Sequence, residues 1–463
     1  MSMLREARSG DLEREPAALD SSRTRRRAAA FRILCALDGG CFLTMALAAD
    51  WLVGESLKYG TLRIAGLVMG AGLLLLAGLI RDRWVPPVLL KVSISVTSTL
   101  LVIVAVETGF RASGHQFDER VRAFLATPIY YRLPTVPVGD IFFRRPGPDR
   151  WTGRVLATGL KLSGGLDDTY RDELEITASY DQDGMRNPED LTDWEVAVVG
   201  DSFTELGYLP YEDLFTTLLG RQIGLRVKNL GVSACGPLTY AYYLRTYGKS
   251  ASARHAVMVF YEGNDIQNLL DEHQALEAFK ATGRREYREV HPHRSVLYAV
   301  YNALGTLFHG NESKADALLR WDGRMVPVTI RHGTRGRGSF SPAEIATVEV
   351  ALSDWAAAAR SLGMKPWLVY VPCKHRIYYD IIEHTSATSR RVRSWQPTDT
   401  PSWIEEVCKR HDIGFIDLIA PFTEAARRGV LLYNAVWDTH LNRAGSRACA
   451  EAIAERLKPS IGR

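Results

Sequence analysis

One serine in this chain stands where a nucleophile would be useful. Val196 to Gly207 reads VAVVGDSFTELG, four apolar residues that run into Gly-Asp-Ser and then a polar turn. Gly, Asp and Ser are also ordinary turn residues, so Ser202 needs partners before it implies chemistry. A serine nucleophile requires a base within hydrogen-bond reach, a group to orient that base, and donors for the oxyanion. Residues of these types recur at the ends of later segments: Gly231 in NLGVSACGP, Asn264 in FYEGND, and Asp438 with His440 in WDTHLNRAG. Four segment ends supply the four chemical types in order.

The elements that must position them follow from periodicity. After Trp194, apolar runs of strand length alternate with helical segments. The pattern predicts strands at Glu195–Val199, Arg226–Leu230, His255–Tyr261, Pro366–Val371 and Gly414–Leu418. It predicts helices at Tyr211–Gln222, Leu238–Lys249, Pro342–Leu362, Pro401–Arg410 and Arg443–Leu457. Pro342 suits a first helical position, and Asn442 is a natural N-cap. Such alternation means an α/β fold, a parallel sheet covered on both faces. Ligands bind outside the carboxyl ends of such strands, where Ser202 lies. Residues 266–340 interrupt the rhythm as an insert. They hold the amphipathic run Ser295–Phe308, read as a core helix or as a helix at a bilayer surface or lid. They also hold the basic loop RHGTRGRG at 331–338, a solvated loop or a contact for an anionic glycan or phospholipid.

The front of the chain is different. Residues 1–30 are Arg-rich and lack a core pattern, which predicts a disordered basic tail. Residues 31–110 contain three apolar stretches, Phe31–Val53, Leu62–Ile80 and Val85–Glu107, each near the roughly 20 residues that cross a bilayer as a helix. Asp38 interrupts the first; a carboxylate at that depth costs about 2.5–3.5 kcal/mol on insertion scales, so it should face another helix. Arg23, Arg25, Arg26, Arg27 and Arg32 precede the first stretch, and Arg81-Asp82-Arg83 joins the second to the third. The positive-inside rule puts both on the cytoplasmic face. Three spans then place everything after Phe110 outside, which predicts a multi-pass protein of the inner membrane with a periplasmic catalytic domain. A signal peptide cut after Ala46-Leu47-Ala48 is the rival reading; it leaves a two-helix hairpin and the same location. Residues 111–190 read as an irregular linker, and 191–463 as the regular domain.

Composition narrows the function classes. The net charge is +4, of which the first 32 residues, with eight arginines and five acids, contribute +3. The remaining +1 is no electrostatic footprint for nucleic acid. The six cysteines form no CxxC pair, and no metal or other cofactor is expected. Cys235, Cys373, Cys408 and Cys449 could pair as disulfides outside the cytosol.

GDSF, NLGVSACG, EGND and DTHLN match, in order, the four sequence blocks of the SGNH hydrolases, also called the GDSL family, and residues 195–460 without the insert resemble that superfamily. The resemblance implies a flavodoxin-like sheet and ester-transfer chemistry. It makes Ser202 the nucleophile, His440 the base and Asp438 its orienting acid. The oxyanion hole would comprise the Ser202 and Gly231 amides and the Asn264 side chain. The family spaces its acid and base as D-x-x-H, which would put the acid at Trp437; here the pair is D-x-H. A D-x-H pair is similar to the alginate O-acetyltransferase branch, where it precedes the serine. DQDGMRNPED at 181–190 and VPCKHRIY at 371–378 also resemble segments of membrane-associated polysaccharide O-acetylation proteins.

Other residues near these motifs have plainer readings. Asp201 ties the turn, and Asp265 caps a helix. Glu262 and Lys374 are candidates for substrate contact, with a strand-end acid and an exposed lysine as the alternatives. His291 and His293 lack a third ligand. The expected function is a membrane-anchored, extracytoplasmic O-acyl transferase or esterase, the acyl group being acetyl, that acts on a cell-surface polysaccharide. The alternatives are a lipid or small-ester hydrolase and a catalytically silent polysaccharide-binding assembly subunit. No acetyl-CoA is free outside the cytosol, so a transferase would need a multispanning membrane partner that passes acyl groups across, with Asp38 a candidate for that contact.

Overall fold

A computed structural model describes residues 9–47, 60–112, 135–155, 174–285, 316–321, 323–330, 334–385, 388, 390–434 and 439–461. The chain divides into two compact units, one with the N-terminal helices and one with the strands.

The N-terminal unit contains α1 (Ser9–Leu47), α2 (Gly60–Leu79) and α3 (Pro87–Ala112). Ser22–Leu47 and Pro87–Gly109 are long and apolar enough to cross a membrane; Ile64–Leu79, the described part of the second expected span, is apolar but shorter. The expected tail is helical from Ser9. Its Ala, Leu, Glu and Arg residues are strong helix formers, and a composition argument for disorder overlooks that propensity. α1 and α2 approach closely at two glycines. A Cβ on Gly39 would lie 2.9 Å from the Gly70 carbonyl oxygen, and one on Gly70 2.8 Å from that of Gly39. Asp38 is buried within its own unit. Arg32 pairs with Asp82 at 2.7 Å, which brings the two arginine-bearing segments to one end of the unit.

The second unit starts with two antiparallel pairs, β1 (Val136–Val138) with β2 (Phe142–Arg144), and β3 (Asp149–Val155) with β4 (Leu174–Tyr180). Then come β5 (Val196–Gly200), α4 (Ser202–Glu205), α5 (Phe215–Ile223), β6 (Val227–Gly231), α6 (Pro237–Tyr247), β7 (His255–Tyr261) and α7 (Asp265–Thr282). The chain continues through β8 (Ala317–Trp321), β9 (Arg324–Val328), α8 (Pro342–Ser361), β10 (Lys365–Val371), α9 (Lys374–Tyr378) and β11 (Ile382–His384). It ends with α10 (Arg390–Arg393), α11 (Thr400–Arg410), β12 (Gly414–Asp417), α12 (Ile419–Arg427) and α13 (Arg443–Ile461).

The central sheet is parallel, in the order β12-β10-β7-β5-β6. Numbered along the chain this is the 2-1-3-4-5 order of doubly wound sheets, with the switch point between its first and third strands, β5 and β7. Alternate residues feed two cores. Val196 and Val198 pack with Phe215, Leu219, Ile453 and Leu457 on one face, and Ala197 and Val199 with Tyr240, Leu244, Leu352 and Trp355 on the other. α8 starts with a full capping box between Ser341 and Glu344. The insert supplies α7 and the β8–β9 hairpin, and β11 joins that hairpin from beyond it. The run Ser295–Phe308 lies outside the described residues. All six cysteines are free, five of them buried as small hydrophobes.

The stretch read as a linker is part of this unit. Arg145, after β2, is buried against Glu205 of α4, with Nε donating at 2.9 Å and Nη2 at 3.1 Å. The Tyr180 hydroxyl donates to the same carboxylate at 2.8 Å, and the Ser233 amide and hydroxyl complete its shell. Burial pushes the Glu205 carboxyl up, but Arg145 and Ser233 outweigh that and hold it below its ordinary range. Removing one partner of a buried pair leaves a bare charge. Glu205→Ala is therefore expected to cost about 3–5 kcal/mol. Urea denaturation of the second unit's signal, against wild type, measures it.

Candidate functional site

Ser202 opens α4 directly beyond β5. Asp201 caps that turn, its Oδ1 accepting the Phe203 amide at 2.8 Å. The turn folds down onto neighbouring strand ends, and this demands glycine. A Cβ on Gly231 would lie 2.5 Å from the Glu205 nitrogen and from the Thr204 Cβ, and one on Gly200 2.1 Å from the Thr204 hydroxyl.

His440 arrives from 238 residues away, and its Nε2 lies 2.7 Å from the Ser202 hydroxyl. Its ring packs on Phe203, centroids 4.6 Å apart, and Phe203 stacks on Tyr261 at 3.6 Å. The Tyr208 hydroxyl donates to the Leu441 carbonyl. Asn442 caps α13 as its residue type suggests, its Oδ1 accepting the Gly445 amide at 2.9 Å. Ser202 and His440 are 6% and 7% exposed, so the pair is open to solvent only narrowly. Asp438 and Trp437 lie outside the described residues, and so do His291 and His293.

Asn264 precedes α7 and meets the same turn. Its Nδ2 donates to Asp201 Oδ2 at 3.1 Å, which also lies 3.4 Å from the Ser202 hydroxyl. Its Oδ1 is buried without a partner among the described residues. Burial pushes the Asp201 carboxyl up. Asp265 does not cap its helix. It sits at the first helical position and accepts from the Tyr261 amide and the Tyr240 hydroxyl, each at 2.9 Å.

Three expectations need correction. The Gly231 amide donates to its own strand neighbour Asn229, at 2.8 Å to Oδ1, so it is not free to serve as an oxyanion donor. Glycine stands there for close backbone approach instead. Further along the loop, Ala234 is exposed at φ 66° and its amide makes no hydrogen bond among the described residues. Glu262 is fully enclosed. Both its oxygens accept from Arg376 Nε at 2.9 Å, and it takes the Cys373 amide and the Thr334 hydroxyl, each at 2.9 Å. Lys374 is 1% exposed and donates to the Asn434 carbonyl. Both side chains are enclosed by protein partners, and neither meets a dissolved substrate.

Residues that sequence reasoning missed are Arg145, Tyr180, Arg186 and Glu205. Arg186 is wholly buried and donates from Nη1 to the Leu206 and Leu209 carbonyls at 2.7 and 2.9 Å, which fixes the chain just after α4. Its one available signal was the DQDGMRNPED segment that carries it.

A scan of protein-family models and a search of curated proteins return no match. Solved structures do match in part. A member of the lipolytic G-D-S-L family from Veillonella parvula is 14% identical, over 56% of this chain and 96% of that one, at a TM-score of 0.31. An acetylxylan esterase from Geobacillus stearothermophilus is 11% identical, over 57% and 94%, at 0.29. A carbohydrate esterase family 2 enzyme from Corynascus thermopiles is 12% identical, over 58% and 67%, at 0.30. Likeness at this level leaves the chemistry to this chain's own side chains.

The Asn264 amide gives one hydrogen to Asp201 and, unlike the Gly231 amide, has a second to offer at the serine turn. Losing one oxyanion donor costs about 10²–10³ in rate, and Asn264→Ala should lower kcat on an acetyl ester by that factor. A change below about threefold would leave Asn264 only a turn residue.

Proposed function

We propose that the chain is a serine esterase or O-acyltransferase that works through an acyl-enzyme on Ser202, anchored in the membrane and acting on a surface polysaccharide. The observation that carries the reading is the 2.7 Å contact between His440 Nε2 and the Ser202 hydroxyl. It lies at the carboxyl end of β5, beside the switch point of a parallel sheet, where such folds bind ligands.

His440 takes the Ser202 proton as Oγ attacks the ester carbonyl. The Asn264 amide and the Ser202 backbone N–H stabilise the oxyanion. Collapse expels the alcohol, which takes the proton back from His440. Water, or a sugar hydroxyl, then attacks the acyl-enzyme with the same base, which frees a carboxylic acid or forms a new ester. Asp438 orients the imidazole in this reading, on its place in the sequence.

A polar substrate fits better than a lipid. Among the described residues, the large hydrophobics that are exposed lie in the N-terminal unit, except Met325 and Val350. The described surface around the site thus offers no apolar patch for an acyl chain. The near-burial of Ser202 suits a short acyl group such as acetyl. Two membrane-length helices support anchoring, and the Arg32–Asp82 pair supports a common cytoplasmic end for the arginine clusters. A transfer reaction outside the cytosol would draw its acyl groups through a multispanning membrane partner.

Ser202→Ala and His440→Ala are expected to fold and to lose acetyl-ester turnover to the same extent, because the pair acts as a unit. Near-normal turnover in purified Ser202→Ala would overturn the assignment. Mass spectrometry of surface polysaccharide from a deletion strain then identifies the glycan, through acyl groups lost or gained.

Location has its own test. A reporter active only outside the cytosol should be active when fused after residue 120 and silent after residue 82. The reverse pattern would place the catalytic unit in the cytosol.

A further inference from the structure

We infer that Lys374 is a positioning residue for the base: from α9 it holds the chain segment that carries His440. The inference rests on the reading of His440 as base. Among the described residues, three contacts run from residues 372–378 to the stretch before His440. The Tyr433 hydroxyl donates to the Pro372 carbonyl at 2.8 Å, the Leu432 amide donates to the Tyr378 hydroxyl at 2.9 Å, and Lys374 Nζ donates to the Asn434 carbonyl.

That stretch is one leg of a closed loop. The Asn434 amide donates to the His440 carbonyl at 2.8 Å, and the Asn442 amide to the Leu432 carbonyl at 3.0 Å. Tyr433 bridges Leu441 between them. Each residue that α9 and its flanks hold is thus paired with His440, Leu441 or Asn442. The gripping segment is itself pinned. Glu262, next after β7, pairs with Arg376 and accepts the Cys373 amide. The strand end that leads to Asn264 therefore also fixes the distance to the base.

An ammonium that is 1% exposed is costly to keep. Its role is geometric, and it differs from contact with substrate in a measurable way. A loosened base slows the chemical step without weakening a small neutral ester's binding, and misplacement by about 1 Å costs up to roughly 10²-fold.

The test uses the full-length protein in detergent with a chromogenic acetyl ester, and compares Lys374→Met, Tyr433→Phe and Ser202→Ala with wild type. Lys374→Met is expected to lower kcat about 10- to 10²-fold with KM within about twofold. Tyr433→Phe, which removes one neutral grip, is expected to lower kcat about three- to tenfold with KM again unchanged. Circular dichroism is the folding control; if Lys374→Met does not fold, the Tyr433→Phe split decides. Wild-type kcat in a folded Lys374→Met, or raised KM with unchanged kcat, overturns the inference, the latter by making Lys374 a substrate contact. An active Ser202→Ala overturns the underlying reading instead, so the two failures are distinct.

Discussion

A four-residue helix cannot hold itself. Its nucleation is unfavourable and it closes almost no internal hydrogen bonds, yet α4 holds Ser202 against His440 from the far end of the chain. The buried carboxylate of Glu205 supplies the missing constraint. It takes Arg145 from the stretch after β2, Tyr180 from β4, and Ser233 from the loop after β6. Three separate chain segments are thereby tied to the last residue of the turn that starts with the serine. In a low dielectric these charge-assisted bonds are strong while complete and expensive when broken, which suits a part that must not drift.

The other half of the pair has a similar design. The leg before His440 is held by carbonyl and amide bonds to the Pro372–Tyr378 stretch, and that stretch by the Glu262–Arg376 ion pair. Ser202 and His440 thus each rest on a buried charged group, Glu205 on one side and Lys374 on the other. The aromatic stack Tyr261–Phe203–His440 joins the halves and shields the hydrogen bond between them from water. A dry, narrow site of this kind favours electrostatic stabilisation of an oxyanion.

Sheet order explains why these pieces meet. β5 and β7 are adjacent, with the chain leaving in opposite directions along the sheet from this point. The crevice between their ends collects Ser202 and Asn264 with no further device. The glycines that end β5 and β6 let the turn sit against the sheet.

Periodicity alone made the five strands and five of the flanking helices legible, with boundaries within a few residues. Buried parallel strands are near-continuous apolar runs, and amphipathic helices repeat at their own period. The same text marked Ser202, Asn264 and His440, because they end those runs in residue types that suit acyl transfer. It did not reveal which polar residues would be buried. Arg145, Tyr180 and Glu205 carry no period, so the segment that holds the site together read as an irregular linker. Glu262 and Lys374 looked like substrate contacts for the same reason: a charge has no mark in sequence that says its partner is inside. Gly231 could be a donor or a close approach, and only the position of α4 against it decided. Local spacing determines secondary structure, whereas pairing of buried charges joins residues far apart in the chain, and that is settled only when the whole fold has formed.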